Sequence, residues 1–450
     1  MRSAFFFSSL GLSLSLLACG GSVSNTDPGE TDTGASTETG PEDTGTVVTD
    51  TGTPETAPVD HGAPSDKYPA FAPDLPQMTN KGGRVLTAPV IVTVTYPGDT
   101  NAASYETFGD KIGASEYWKA ITAEYGVGPA TSGPDNHVRE ATTLATSMTD
   151  GEIDAYIRER VGNYAKYGWP APTAQSVYML YVPKTTKITL GGSEACAAGV
   201  GGYHTSADVG GVQVPYGIVL QCSFGSKSGT PRTNTASHEI AEAVLDPEPI
   251  GDNAGWVGVD LDHVGWHLFM AGNVENGDLC EIYREERYTP AEPDFTSNVA
   301  RQWSNANAKA GHNPCAPAPT SQPYFNVSAL DQEKVTVNAT AMGGAFKQTT
   351  KGYHVAVGET KTFAVGLWSD AAMGAWTLGA TENNAFSGGG GTTTKRLTYS
   401  IDKKSGKNGE KAWVTVTVNS TPANKANVLT IVSTDSSGTQ HYLPIVISSQ

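Results

Sequence analysis

Asn234-Thr235-Ala236-Ser237-His238-Glu239-Ile240-Ala241-Glu242-Ala243-Val244-Leu245-Asp246-Pro247 is the stretch on which the reading of this chain turns. Asn234, Thr235 or Ser237 can cap a helix start, because a side-chain oxygen there accepts from N–H groups the first turn leaves unpaired, and Pro247 ends it. A helix of about three turns fits between. Four residues apart, His238 and Glu242 stand on one face, one above the other. Helices reading H-E-x-x-H present two zinc ligands in this way, with the intervening Glu as general base. Here Glu242 stands where the second histidine would be, and an imidazole nitrogen and a carboxylate oxygen both bind zinc at about 2.0–2.2 Å. Glu239 is then the candidate base, and Ile240, Ala243, Val244 and Leu245 offer a face for packing. The plain alternative is a helix with Glu239 and Glu242 solvated and His238 hydrogen-bonded at an edge.

A catalytic zinc site needs a third protein ligand and an open position. Val274-Glu275-Asn276-Gly277-Asp278-Leu279-Cys280-Glu281 supplies Glu275 and Asp278 as candidates, and Asp246, eight residues beyond His238, is a rival. His204, in Gly201-Gly202-Tyr203-His204, is expected to be a structural hydrogen-bonder rather than a ligand. His263 and His267 flank Gly265-Trp266, and either can stabilise an oxyanion. Asp260 and Asp262 lack the ladder of an EF-hand loop.

Around the helix, 68–318 reads as one mixed α/β domain with a zincin-like layout, since the motif follows a strand-rich region. Pro89–Tyr96 predicts a buried strand, as do Ser176–Val182 and Tyr216–Leu220. Ala102–Tyr125 sets Phe108, Ile112, Trp118, Ile121 and Tyr125 at helical spacing. Thr149-Asp150-Gly151-Glu152 has the form of a capping box opening a helix with Ile153, Tyr156, Ile157 and Val161 inside.

Ser237-His238-Glu239-Ile240-Ala241-Glu242, then Asp246-Pro247, then Gly277-Asp278-Leu279-Cys280-Glu281 resembles the signature of the plant exordium (phosphate-induced) proteins and their bacterial relatives. Cys196 to His204 and Gly311-His312-Asn313-Pro314-Cys315 are weaker echoes, so the resemblance covers mainly 190–315. Asn276 departs from the isoleucine usual there. The resemblance implies a secreted, wall-associated protein and carries no assigned reaction.

The N-terminus points outward from the cytoplasm. Arg2 precedes an apolar run, Ala4–Leu17, shorter than the roughly 20 residues a membrane helix needs and suited to a signal peptide. Leu16-Leu17-Ala18-Cys19 resembles the lipobox of bacterial lipoproteins, which implies cleavage before Cys19 and anchoring in a lipid membrane through the acylated cysteine. Gly20-Gly21 lacks the aspartate that marks inner-membrane retention in that family, so the outer membrane or cell surface is expected. Residues 20–66 hold ten acidic residues and no Lys or Arg, within a chain of net charge −17. A segment of this composition buries too little apolar surface to offset its ordering entropy, and a disordered, extended stalk is expected. With most of the acidity in the stalk, nothing points to nucleic acid.

Four further cysteines read, in an exported chain, as two disulfides. Cys196 with Cys222 and Cys280 with Cys315 is the favoured pairing, because each closes a loop of modest length. A four-cysteine zinc site lacks C-x-x-C spacing. Ala316–Pro323 reads as a linker, and 322–450 as an all-β, immunoglobulin-like sandwich of short alternating strands separated by Gly, Asn, Asp and Ser clusters. That domain suits a glycan- or wall-binding module or a stabilising spacer.

Two function classes follow. One is a zinc-dependent hydrolase, peptidase-like, acting on a peptide or cell-surface polymer. The other is a non-catalytic surface or wall-associated binding protein in which the H-E-x-x-E node is structural.

Overall fold

The computed structural model describes residues 60–450 apart from 223–231, 251–252, 271–273, 284–285, 342–343, 384–394 and 423–424. Cys19 and most of the acidic segment lie outside the described residues. The fold class is α+β.

The first domain is built on a five-stranded sheet of β1 (Val90–Thr95), β2 (His137–Arg139), β3 (Ser176–Tyr181), β4 (Gly202–Val209) and β5 (Val212–Val219). Its order is β2-β1-β3-β5-β4, parallel throughout except for β4, which returns antiparallel beside β5 as an edge strand. A mostly parallel sheet is covered on both faces, so its strands run apolar without alternation. On one face Ile91, Val177, Met179, Tyr181 and Val219 meet α1 (Ala102–Ile112), α2 (Glu116–Thr122) and α4 (Arg232–Leu245). On the other, Val92, Val94, Tyr178, Leu180 and Ile218 meet Ile153, Ile157 and Val161 of α3 (Asp150–Gly162). The expected capping box of α3 is present: the Glu152 N–H donates to Thr149 Oγ1 at 3.2 Å, and the Thr149 N–H to Glu152 Oε2 at 2.7 Å.

Two expectations need correction. The helical spacing across 102–125 belongs to two helices and a terminal 3-10 turn, because Gly113 lies so near the Ala130 carbonyl that a Cβ would stand 2.2 Å from it. Ser115 restarts the helix by accepting the Trp118 N–H. Second, α4 already includes Arg232, so Asn234, Thr235 and Ser237 are interior rather than caps. Arg232 is held there by the Val182 and Val219 carbonyls and by Asp99. Ser237 Oγ donates to the Asn234 carbonyl at 2.7 Å and accepts the Ala300 N–H at 2.9 Å.

The second half is a β-sandwich. One sheet comprises β6 (Phe325–Ala329), β9 (Thr360–Ser369), β13 (Lys411–Val418) and β11 (Leu397–Ile401), in that order. The other runs β7 (Glu333–Ala341), β8 (Gly344–His354), β15 (Gln440–Ser448), β14 (Ala426–Thr434), β10 (Trp376–Asn383) and β12 (Ser405–Gly406). All pairs are antiparallel except β8 with β15. Val327, Leu367, Val414 and Val416 of the first sheet share a core with Trp376, Leu429, Ile431 and Ile445 of the second.

The halves are packed together. Val264 and Leu268 of α5 (Val264–Met270) lie among Val335, Val337, Val428 and Val446 of the sandwich. Gly265 approaches so closely that a Cβ would be 2.9 Å from the Pro444 carbonyl. Residues 60–71, the first seven of which were assigned to the stalk, run along the sandwich. The Lys411 N–H donates to the His61 carbonyl, the Ser65 N–H to the Asn408 carbonyl, and Phe71 sits against Gly366. No helix of the described residues is long and apolar enough to cross a membrane.

Candidate metal centre

α4 carries His238, Glu239 and Glu242, with Asp246 just past its end, and nearly all of it is buried. The solvated alternative for Glu239 and Glu242 is therefore excluded: they are 4 % and 3 % exposed. The loop before α6 (Asp278–Glu281) brings Glu275 and Asp278 to the same place. It is tied down there by the Gly277 N–H, which donates to Glu242 Oε1 at 3.2 Å, and by the Cys280–Cys315 disulfide. Strand β4 brings His204 from the opposite side, and the second disulfide, Cys196–Cys222, spans the β4–β5 hairpin. Both bridges join the cysteines as the sequence led us to expect.

The two halves of the node meet at Glu242. His238 Nε2 lies 3.1 Å from Glu242 Oε1 and 3.7 Å from Asp278 Oδ1. His204 Nδ1 lies 3.7 Å from Glu242 Oε2 and 3.8 Å from Glu239 Oε2, while its Nε2 is 3.4 Å from Glu275 Oε1. Two groups of potential ligands result, His238–Glu242–Asp278 and His204–Glu242–Glu275, each with one donor atom per residue within 4.8 Å of the others. In the first, the His238 and Asp278 side chains keep 13 % and 28 % exposure; in the second, the His204 and Glu275 side chains keep 2 % and 14 %. The residues present thus fit a divalent cation of the zinc type, with imidazole and carboxylate donors.

Each expected site residue can now be placed. His238, Glu242, Glu275 and Asp278 converge, though Glu275 and Asp278 serve different groups. Glu239 faces inward, against His204 and so near β4 that a Cβ on Gly202 would be 2.6 Å from its Oε1. Asp246 belongs to neither group: its Oδ1 accepts the Gly255 N–H at 2.8 Å, and its carbonyl lies 3.1 Å from His204 Nε2. His204, expected to be structural, is a potential ligand. His263 is committed to Asp260 and Asp74, and His267 Nε2 accepts the Val259 N–H, so neither joins the node.

The electrostatics are those of a crowded carboxylate cluster. Burial opposes a charge on either imidazole, but Glu275 beside His204 and Glu242 beside His238 outweigh it, and both rings hold protons well above the usual range. Burial would also raise Glu242; the two imidazoles reverse this and bring it down to about 2. Burial raises Glu239 to about 7, Asp278 to about 6, and Glu275 well above the ordinary carboxyl value. Glu239 and Asp278 thus exchange protons near neutrality, a property that clusters at functional sites. Compared with known proteins, the chain matches no family and no curated sequence.

Proposed function

We propose that the first domain is a zinc-dependent hydrolase, peptidase-like, acting on a peptide or cell-surface polymer. One observation carries this reading: His238, Glu242 and Asp278 form a ligand group that keeps solvent exposure at His238 (13 %) and Asp278 (28 %), where a catalytic site needs a position for water. A cation held there supplies Lewis-acid polarisation of a carbonyl and a lowered pKa for water. Glu239 is the proton acceptor, kept protonatable near neutral pH by burial, and His204 orients it. The zincin-like layout assigned to this domain is supported by the placement of the motif helix over the sheet.

The experiment is Glu239→Gln with zinc content and peptide-library hydrolysis measured together. The hydrolase reading expects full zinc and turnover reduced at least about a hundredfold. A wild-type chain that carries no zinc would sink it. A second reading, a wall-associated binding module with a structural node, draws on the internal pairing of the cluster, in which His238 and Glu242 already contact at 3.1 Å. It expects ligand binding to survive the same substitution.

For location, we propose a lipoprotein held through acylated Cys19 at the outer membrane or cell surface. The two disulfides support an oxidising compartment, and palmitate labelling lost in Cys19→Ser tests the anchor. Kinship with the exordium family is part of the same proposal. The sandwich, immunoglobulin-like in our reading, is a stabilising partner, since α5 is buried against it.

A further inference from the structure

We propose that the node holds two divalent cations bridged by Glu242, an outer one on His238, Glu242 and Asp278 and an inner one on His204, Glu242 and Glu275. This extends the metal reading above and rests on it. The carboxylate of Glu242 is shared between the imidazoles, Oε1 toward His238 and Oε2 toward His204. A carboxylate used this way holds two ions about 3.5–4 Å apart, the spacing of known two-metal sites.

The inner position has the features of a prepared ligand set. The Asp246 carbonyl, 3.1 Å from His204 Nε2, favours the N–H on that nitrogen and leaves the lone pair on Nδ1, which faces Glu242. Metal-bound histidines are commonly oriented by such a carbonyl. Glu275 Oε1, 3.4 Å from His204 Nε2, is buried and accepts no hydrogen bond, and the same holds for Oδ2 of the fully buried Asp246. Orphaned buried oxygens require an explanation, and an unseen ion is a standard one.

Charge gives an independent reason. Glu239, Glu242, Asp246, Glu275 and Asp278 crowd two imidazoles, and no lysine or arginine among the described residues pairs with any of them. With the ligands Glu242, Glu275 and Asp278 and the proposed base Glu239 ionised and the rings neutral, the formal charge is −4; one dication leaves −2 and two leave none. Uncompensated buried charge is strongly unfavourable, so the second cation is the better match. Exposure divides the roles: Asp278 keeps 28 % against 14 % for Glu275 and 2 % for His204, so the outer ion is the one nearer solvent and the inner one is structural.

The test is zinc per chain on the purified exported protein, with Mn(II) paramagnetic resonance as a second measurement. The wild type should carry two zinc ions, Glu275→Gln and Asp278→Asn one each, and Glu242→Gln neither. Two Mn(II) ions in the wild type should give an exchange-coupled spectrum. One zinc per wild-type chain, lost in Asp278→Asn but kept in Glu275→Gln, overturns the two-ion proposal and leaves the hydrolase reading standing. No zinc in the wild type overturns both. Two zinc ions unaffected by Glu275→Gln overturn the assigned inner site. Should a variant fail to fold, the wild-type Mn(II) spectrum decides: coupled ions support the bridge, and independent ions refute it.

Discussion

The Gly277 N–H donates to Glu242 Oε1 at 3.2 Å, which ties the loop bearing Asp278 to the helix bearing His238. The backbone of Gly277 is right-handed helical (φ −72°, ψ −45°), a conformation any residue adopts, yet a Cβ there would lie 2.6 Å from His238 Nδ1 and 2.7 Å from Glu242 Oε1. Gly277→Ala therefore acts by crowding the node rather than by backbone strain. We expect a stability loss of about 1–3 kcal/mol and zinc affinity weakened at least tenfold. Thermal unfolding and zinc titration of the variant check both, and unchanged zinc affinity would show that the loop does not close on the helix as described.

Metal binding should release protons. The rings of His204 and His238 carry protons well above the ordinary range in the free protein, and a cation takes the neutral ring. Apparent affinity should accordingly fall as pH falls through neutrality. Calorimetry at pH 7 in two buffers of different ionisation enthalpy should report at least one proton released per chain, and affinity constant from pH 6 to 8 would contradict this.

His263 provides a separate pH dependence. Its Nδ1 lies 2.8 Å from Asp260 and its Nε2 3.3 Å from Asp74, which also receives Lys351 from the sandwich at 2.7 Å. Burial opposes charging the ring, but the two aspartates outweigh it and raise His263 to about 9, while Asp74 and Asp260 are held below the usual range. The raised histidine contributes fully below its unfolded value of about 6.5 and loses its contribution as pH rises through about 9; the aspartates contribute above about 4. His263→Ala should thus destabilise most between about pH 4 and 6.5, by about 1–2 kcal/mol after allowance for the partial exposure of Asp74. Denaturant melts should show the deficit shrinking by pH 9.5.

Asn408, 4 % exposed, fastens the N-terminal strap to the sandwich. Its Oδ1 accepts the Ser369 and Ala70 N–H groups, and its Nδ2 donates to the Ser65 and Lys67 carbonyls at 2.7 and 2.8 Å. Asn408→Ala should lower stability by about 2–4 kcal/mol and expose 60–71 to proteolysis, read by limited digestion and mass spectrometry. Resistance equal to wild type would mean the strap is held by other contacts.

The helix and its ligand pair were legible because the i, i+4 relation is local and Pro247 marks the stop, although the residues expected to cap the start lie inside the helix. Glu275 and Asp278 were legible as a cluster, yet which group each serves depends on how the loop folds over α4. His204 was undervalued for a physical reason. Its strand is an edge strand of mixed pattern, Gly-Tyr-His-Thr-Ser-Ala-Asp-Val, and its partners lie more than thirty residues away. Gly202 beside it was the available signal, since a glycine within a strand marks a close approach, here to Glu239. The sandwich was visible through alternation in strands such as β13, whereas β10, with Gly379 and Ala380 at its centre, presents little of that pattern.

Sequence order and spatial order differ in this molecule. Asp60, where the described chain begins, has its carbonyl 3.2 Å from Trp413 Nε1 on the C-terminal sandwich. Any pull transmitted along the N-terminal segment is thus delivered first to the last-synthesised half. The half that carries the candidate metal centre, although it comes earlier in the chain, is reached only after residues 60–71 have run along the sandwich.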